Sequence, residues 1–562
     1  MIIPETISKE ILQLKLDLLT GSCYPAFCLL QLFAFLEPSE IPLQLLRRGC
    51  SDKAFWNEHG QPDKLTPQEA GVDQHLLDII LRETRLDDAL NQLTSMTLVS
   101  RSTSVEGDES VTLNPVIQAY AAERALRDGQ HWQEQAILLC CQAFPSTERL
   151  GPGRFGTRGR QMLAQIPRIL VVMDGIKLGR NPLLRRALIT MLLAASKFST
   201  LDFKQEMITR CKSLITNETE QYLKTELVCR ESLVLRLCSD TERSSAVILD
   251  HMKSLCTSAA QRTDERSRAQ QGALVITIAN NLLLEDKPAG AITELVAWKP
   301  LNERNVSPYE QDIEHQKSTL LVRALRYEER FQDAIEYCES ILPSTGHPKE
   351  PTQIRPGWQL QLFIQLSDLY CEVGTPSCAL KLLQSEIKYV EALNQHQTPR
   401  GTDLLLCHAE ALLRQGSYEA AQFAFLAILE TLQKTPISDM LSQSKNFRAL
   451  AALARISHLK QDWSDAMARW SVALEFLRKY KWRNTFFEGV VLLSLAQALH
   501  HLGEADQALQ SISQANICLK TKKPKLFILA LATYWYEFVC VPLGKSGADP
   551  TVLESPAHHC ET

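Results

Sequence analysis

A small residue followed twelve positions later by alanine recurs six times between residues 279 and 508, at intervals of 42 to 45 residues. The pairs are Ala279 with Ala291, Val322 with Ala334, Ser367 with Ala379, Ala409 with Ala421, Ala454 with Ala466, and Ala496 with Ala508. Three residues after each first member stands Leu282, Leu325, Tyr370, Leu412, Ser457 or Leu499, which is helical spacing. Seven residues after it stands Gly374, Gly416 or Gly503 in three copies and Asp286, Glu329 or Gln461 in the others, types that tolerate or end a helical turn. Small side chains let two antiparallel helices touch, so each unit reads as helix, turn, helix. Stacked units make a surface and perform no chemistry by themselves.

In this form the unit resembles the tetratricopeptide repeat, lengthened beyond its usual span. The expected fold class is mainly α: a winged-helix-like N-terminal domain over 1–130, a helical connector over 131–190, an α-solenoid of tetratricopeptide-like repeats with a C-terminal capping helix over 191–541, and a disordered tail over 542–562. Weaker copies extend the array toward the N-terminus, at Ala246 and at Ala194 with Glu206.

Composition is that of a globular chain, with 22% charged and 45% hydrophobic residues, and a net charge of -5 offers no global attraction to nucleic acid. Sixteen cysteines without a C-x-x-C pair read as free, mostly buried thiols in a reducing compartment. The expected location is therefore the cytoplasm, with the nucleus as the alternative. Glu5, Lys9 and Glu10 precede the first apolar run, which does not suit a secretory leader. The run Leu526 to Leu543 follows Lys520, Lys522, Lys523 and Lys525, yet Glu537 interrupts it and Pro542 shortens it, so a capping helix is expected there and a membrane segment is not. The tail Ala557-His558-His559-Cys560 is too short a ligand set at a chain end to predict a metal site.

The first 130 residues follow another pattern. Ala26 to Leu36 is an apolar helix closed by Glu37-Pro38, and Ile41-Pro42-Leu43 opens a second with proline inside its first turn. A polar loop spans Gly60 to Pro67, and Leu86 to Leu93 is an amphipathic helix. Thr97 to Arg101 and Val111 to Leu113 are β-type runs separated by Glu106-Gly107-Asp108, a hairpin signal, and Pro115 opens a further helix. Three helices and a hairpin make a winged-helix order.

On that order a family resemblance rests. Leu32-Phe33-Ala34-Phe35-Leu36-Glu37-Pro38-Ser39-Glu40-Ile41-Pro42, then Ala89-Leu90-Asn91-Gln92-Leu93 to Leu98-Val99, and Val116-Ile117-Gln118 resemble the winged-helix segment that follows the nucleotide-binding domain in fungal NB-ARC or NACHT proteins with tetratricopeptide repeats, STAND-type signal-transduction ATPases. The likeness continues through Ala143-Phe144-Pro145 into the array. Family members carry a histidine four residues before that last glutamine, where Asn114 stands here. The resemblance implies a sensor or scaffold role, with a protein or peptide ligand, a partner ATPase or a second copy of the chain as partner.

A nucleotide-binding domain needs a glycine-rich phosphate loop with its lysine, and the chain contains no G-x-x-x-x-G-K-S/T. Gly544-Lys545-Ser546 has Val539 at the first glycine position, and Gly151-Pro152-Gly153-Arg154-Phe155-Gly156 precedes Ile169 to Asp174 without opening a helix after a strand. No cofactor or metal is expected. Metallohydrolase, esterase-elbow and kinase signatures are absent, so the protein is expected not to be an enzyme; His408, His458 and His500 read as ordinary repeat histidines.

In the family's repeat, residues one and four places after the small residue face the concave groove. Here they are Asn280 and Leu283, Arg323 and Arg326, Asp368 and Cys371, Glu410 and Leu413, Arg455 and His458, and Gln497 and His500. The expected partner-binding set is Asn280, Arg323, Arg326, Asp368, Glu410, Arg455, His458, Gln497 and His500, with the arginines exposed and ready to pair bidentately with a ligand carboxylate. The alternative function, DNA binding through the winged helix, is opposed by Asp87, Asp88, Glu106, Asp108 and Glu109 where phosphates would lie.

Overall fold

The computed structural model describes residues 9–103, 108–127, 129–145, 159–177, 181–198, 200–238, 240–257, 264–342, 357–392, 398–434, 440–480, 485–520 and 534–539. Glu106 and Gly107 of the hairpin tip, the Gly151–Gly156 loop, Gly544-Lys545-Ser546 and the tail from Ala557 to Cys560 lie outside the described residues, as do Lys522, Lys523, Lys525 and all of Leu526–Leu543 except 534–539. The chain divides into two compact units, one of residues 1–238, 242–274 and 300–312 and the other of residues 239–241, 275–299 and 313–562. Residues 191–238 and 242–274, expected in the array, thus fall in the first unit.

The first unit begins with α1 (Lys9–Ser22) and α2 (Tyr24–Phe33), the latter buried from Ala26 to Phe33 and started by a proline whose missing N–H has no partner to lose in a first turn. β1 (Ile41–Pro42) leads into α3 (Leu43–Gly49). Pro42 caps that helix in extended geometry (φ -65°, ψ 131°) and pairs with Ser110, so it precedes the helix where the sequence placed it inside the first turn. The polar loop expected over 60–67 contains a strand: β2 (Lys53–Trp56) pairs antiparallel with β3 (Pro62–Leu65). Pro62, Asp63 and Lys64 are exposed and show no apolar alternation, so pairing here rests on buried Trp56, whose ring stacks on Tyr309 at 4.9 Å.

After α4 (Gln74–Ile80) comes α5 (Glu83–Ser95), which buries Leu86, Ala89, Leu90 and Leu93 along one face. β4 (Val99–Thr103) and β5 (Glu109–Leu113) form the antiparallel hairpin, and β1 adds to β5 to give the sheet order β1-β5-β4. Arg101 on β4 is engaged by Asp87 at 3.2 Å and Glu109 at 3.5 Å. α6 (Pro115–Arg127) and α7 (His131–Ala143) follow, and residues of α2, α3, α5 and α7 share one apolar core. Ile166–Asp174 is a helix.

Two weak repeat copies are corrected. Ala246 and Glu206 are exposed. The buried small pair of helices Gln221–Leu237 and Thr241–Thr257 is Ser232 with Ser244, also twelve residues apart, whose hydroxyls bond at 2.6 Å. Two serines that satisfy each other inside a core pack almost as closely as two alanines. Likewise Ala195 and Met207, one position later than Ala194 and Glu206, are both buried.

Among the described residues the second unit contains six helix pairs: Glu265–Leu284 (from Val275) with Pro288–Ala297, Pro308–Tyr327 (from Ile313) with Phe331–Ile341, Gly357–Glu372 with Pro376–Ala392, Pro399–Arg414 with Tyr418–Gln433, Met440–Leu459 with Trp463–Lys479, and Thr485–His501 with Ala505–Leu519. They are pairs 1 to 6 below. All twelve residues of the sequence repeat are at most 3% exposed. The residue seven places after each first member is left-handed in every pair, with φ from 58° to 85° at Asp286, Glu329, Gln461, Gly374, Gly416 and Gly503. There the chain turns by a Schellman motif, as in Ser417 N–H to Leu412 O at 3.0 Å and Gly416 N–H to Leu413 O at 3.0 Å. The unit is an α-solenoid in which, from Phe331–Ile341 onward, each helix packs on the next, and the first helices of pairs 3, 4 and 5 also pack on one another.

Candidate functional site

Because the first helices lie side by side, residues one repeat apart become neighbours. Arg326 of pair 2 donates to Asp368 of pair 3 at 3.1 Å and to Glu372 at 3.3 Å. Asp368 also accepts from Arg448 of pair 5 at 3.0 Å and from the Cys407 thiol of pair 4 at 3.1 Å. Glu410 of pair 4 accepts from Arg455 of pair 5 at 2.9 and 3.2 Å. Burial opposes ionisation of Asp368, but Arg448 and Arg326 outweigh it and hold the carboxyl below its ordinary value. For Glu372 burial wins over Arg326 and Arg414, and its carboxyl is raised.

This ladder corrects the expectation of exposed, ligand-seeking charges. Arg326, Asp368, Glu410, Arg455 and His458 are all buried, and the charges of the two arginines and two carboxylates are spent on one another. Guanidinium and carboxylate withdrawn from water must pair, and the nearest partner is the equivalent position of the adjacent repeat. Asn280, Arg323, Gln497 and His500 are half-buried, and the amide of Asn280 donates to Ile276 O at 2.8 Å. Leu283, Cys371 and Leu413 are buried core residues.

Over pairs 4 to 6 the face carries a second layer. Residues 534–539 are helical, as the expected capping helix would be, but their side chains lie against the first helices of three successive pairs. Trp535, fully buried, donates its indole N–H to Ser494 Oγ of pair 6 at 3.0 Å. Its ring stands edge-on to His458 of pair 5 at 5.3 Å and 5.5 Å from the Arg455 guanidinium, and it stacks on Trp470 at 5.8 Å. Arg414 of pair 4 lies 3.9 Å over the Tyr534 ring, a cation–π contact. Phe538 stacks on Trp535 at 4.9 Å, Tyr536 meets Phe486 at 5.0 Å, and Glu537 is exposed.

His458 sits at the centre of this layer. Its Nδ1 accepts from the Trp470 indole at 3.3 Å, which places the proton of the neutral ring on Nε2. Burial pushes its pKa down to about 4, with a Gln497 hydrogen bond acting the other way, so the ring is neutral at pH 7. A buried neutral histidine whose Nδ1 is engaged serves packing.

Sequence reasoning missed Arg414, Arg448, Cys407, Ser494, Trp535 and Phe538. The signal for the ladder was present, since opposite charges recur one repeat interval apart at Arg326 and Asp368 and at Glu410 and Arg455. The signal for the second layer was the helical spacing of Trp535, Phe538 and Val539 inside a run read only for its hydropathy. Among the described residues no group of three or more His, Cys, Asp or Glu side chains is placed to hold a metal ion, and no helix is long and apolar enough to cross a membrane. No disulfide joins the thirteen cysteines whose side chains are described.

No protein-family model and no curated protein matches the sequence. Among solved structures the fold is similar to a Signal Transduction ATPase with Numerous Domains (STAND) protein with a tetratricopeptide repeat sensor from Pyrococcus horikoshii, at 9% identity and a TM-score of 0.49, covering 84% of this chain. The chain spans 62% of that protein's length. It is also similar to a chain of the APC/C hetero-tetramer Cut9–Hcn1, at 12% identity and a TM-score of 0.33, covering 82% of this chain and 83% of that one. At these levels neither likeness carries a functional inference.

Proposed function

We propose that the protein is a non-catalytic interaction protein, a scaffold or sensor of the cytoplasm or nucleus, whose first-helix face receives a segment of a protein partner. The N-terminal helices and the β1-β5-β4 sheet, in winged-helix-like order, serve in this reading as a packing module. One observation carries it: side chains from three successive pairs already hold a short helical segment on that face, through an indole hydrogen bond, a cation–π contact and ring packing. A groove lined by recurring positions of stacked repeats is a common way to read a helix.

The test uses positions that the ladder does not occupy. Replacing Arg323, Gln497 and His500 together by glutamate leaves the fold intact and weakens captured partner protein by about tenfold or more, roughly 1.4 kcal/mol. Replacing Phe423 and Leu426, exposed on the second helix of pair 4, by glutamate leaves capture unchanged. The opposite pattern moves the binding surface to the second helices.

A further inference from the structure

Residues 534–539 come after the last pair in the chain, and their side chains meet the first helices of pairs 4 to 6. The contacts are those of a ligand in a groove: one aromatic anchor inserted fully (Trp535), a second three residues on (Phe538), an exposed charge on the outer side (Glu537), and a polar acceptor placed for the anchor's only donor (Ser494 Oγ). Ser494 is itself held, its hydroxyl donating to Val490 O at 2.8 Å, so its lone pair is oriented before the indole arrives. Arg414 extends the seat beyond the anchor, stacking on a Tyr534 ring that keeps 40% of its surface in water.

Resting on the proposed interaction role, we infer that the face of pairs 4 to 6 is a receptor for short helical protein segments carrying tryptophan with an aromatic residue three positions later and another directly before it, and that the chain's own Tyr534–Val539 occupies it as an internal competitor. A segment tethered to its own seat competes as an intramolecular ligand. An external segment therefore binds with its intrinsic affinity reduced by the fraction of time the seat is open. Arg414, Arg455, His458 and Ser494 then act as specificity residues of the seat.

The experiment uses the full chain and a fluorescein-labelled peptide of residues 532–541 with Cys540→Ser. Trp535→Ala with Phe538→Ala in the protein empties the seat, and peptide anisotropy then shows binding about tenfold or more tighter than to the unaltered chain. The same peptide with Trp535→Ala does not bind. A variant that keeps a cooperative unfolding transition yet binds peptide no better than the unaltered chain overturns the proposal. Should the variant not fold, hydrogen exchange on the unaltered chain decides. Amides of 534–539 exchanging faster than those of Ala451–Ser457, and faster still with excess peptide, support it, and equal rates overturn it. Peptide binding without any effect of the Arg323, Gln497 and His500 replacements on partner capture sinks the interaction reading alone; a locked segment with partner capture lost on those replacements sinks this inference alone.

Discussion

Arg455 Nη1 lies 2.9 Å from Glu410 Oε1, and the two residues, forty-five positions apart, are both fully removed from water. The interval is one repeat, so the ion pair joins the first helix of one unit to that of the next. Buried pairs of this kind contribute little net stability but leave a large penalty when halved.

Arg455→Ala is therefore expected to destabilise the protein by about 3 to 5 kcal/mol, because Glu410 is left buried without a counter-charge. Arg455→Met with Glu410→Leu recovers most of that loss. Urea unfolding of the single and double variants checks it. A single variant as stable as the parent means that the pair is open to water, which is what the sequence alone had suggested for Arg455.

Acid weakens the fold in two steps. His458 has a folded pKa of about 4 against an ordinary value of 6.5, so between those values the unfolded chain binds more protons and stability falls as pH falls. The loss begins below pH 6.5 and reaches about 3 kcal/mol near pH 4. Asp368, held below its ordinary value once Arg448 and Arg326 outweigh burial, adds a second loss as the pH drops below about 4. Denaturant midpoints measured from pH 8 to 3 show the first step in the parent and lose it in His458→Gln; a slope unchanged in that variant assigns the step to other groups.

The turns separate residues that fit from residues that strain. Gln461 and Glu329 sit at φ 58° and 60°, where a Cβ costs about 1 to 2 kcal/mol, partly offset by the greater unfolded-state freedom of glycine. Gln461→Gly or Glu329→Gly is expected to stabilise by about 0.5 to 1 kcal/mol. Gly416→Ala, whose added Cβ would meet no atom within 4 Å, should lose about 1 kcal/mol through backbone strain alone. Thermal unfolding of the three variants checks the signs.

Helix contact is tested at the repeat positions. Ala421 and Ala466 are fully buried between paired helices, and leucine at either is expected to cost about 1 to 3 kcal/mol through overpacking. Ser367, in the same register and equally buried, has no hydrogen-bond partner for its hydroxyl among the described residues. Ser367→Ala should raise stability by about 1 kcal/mol, and equal unfolding midpoints for the leucine variants and the parent would remove the close contact.

The sequence revealed the second unit well, because the same sterics act six times: a buried small residue, its alanine partner and a left-handed turn residue recur in register, and each is found where the spacing put it. It was less informative about Ser232 and Ser244, where a hydroxyl pair replaces alanine, and about β2 and β3, whose pairing rests on buried Trp56 and not on alternation. The candidate site was half-visible. Arg326, Asp368, Glu410 and Arg455 do share one face, but whether a charge on that face meets water or a counter-charge depends on how neighbouring repeats stack. The helical spacing of Trp535, Phe538 and Val539 marks an apolar face, but that this face returns to the first helices is a long-range contact that local spacing does not specify.

The placement of that segment is the claim on which the rest stands. Tyr534 keeps enough exposure to accept a photoreactive benzoylphenylalanine in its place, and irradiation of the full chain followed by peptide mapping reads its neighbours directly. Insertion into the pair 4 segment containing Arg414, within the same chain, is the predicted result. Insertion only into Ala505–Leu519, the second helix of pair 6, would show a terminal cap and contradict the seat on the first helices.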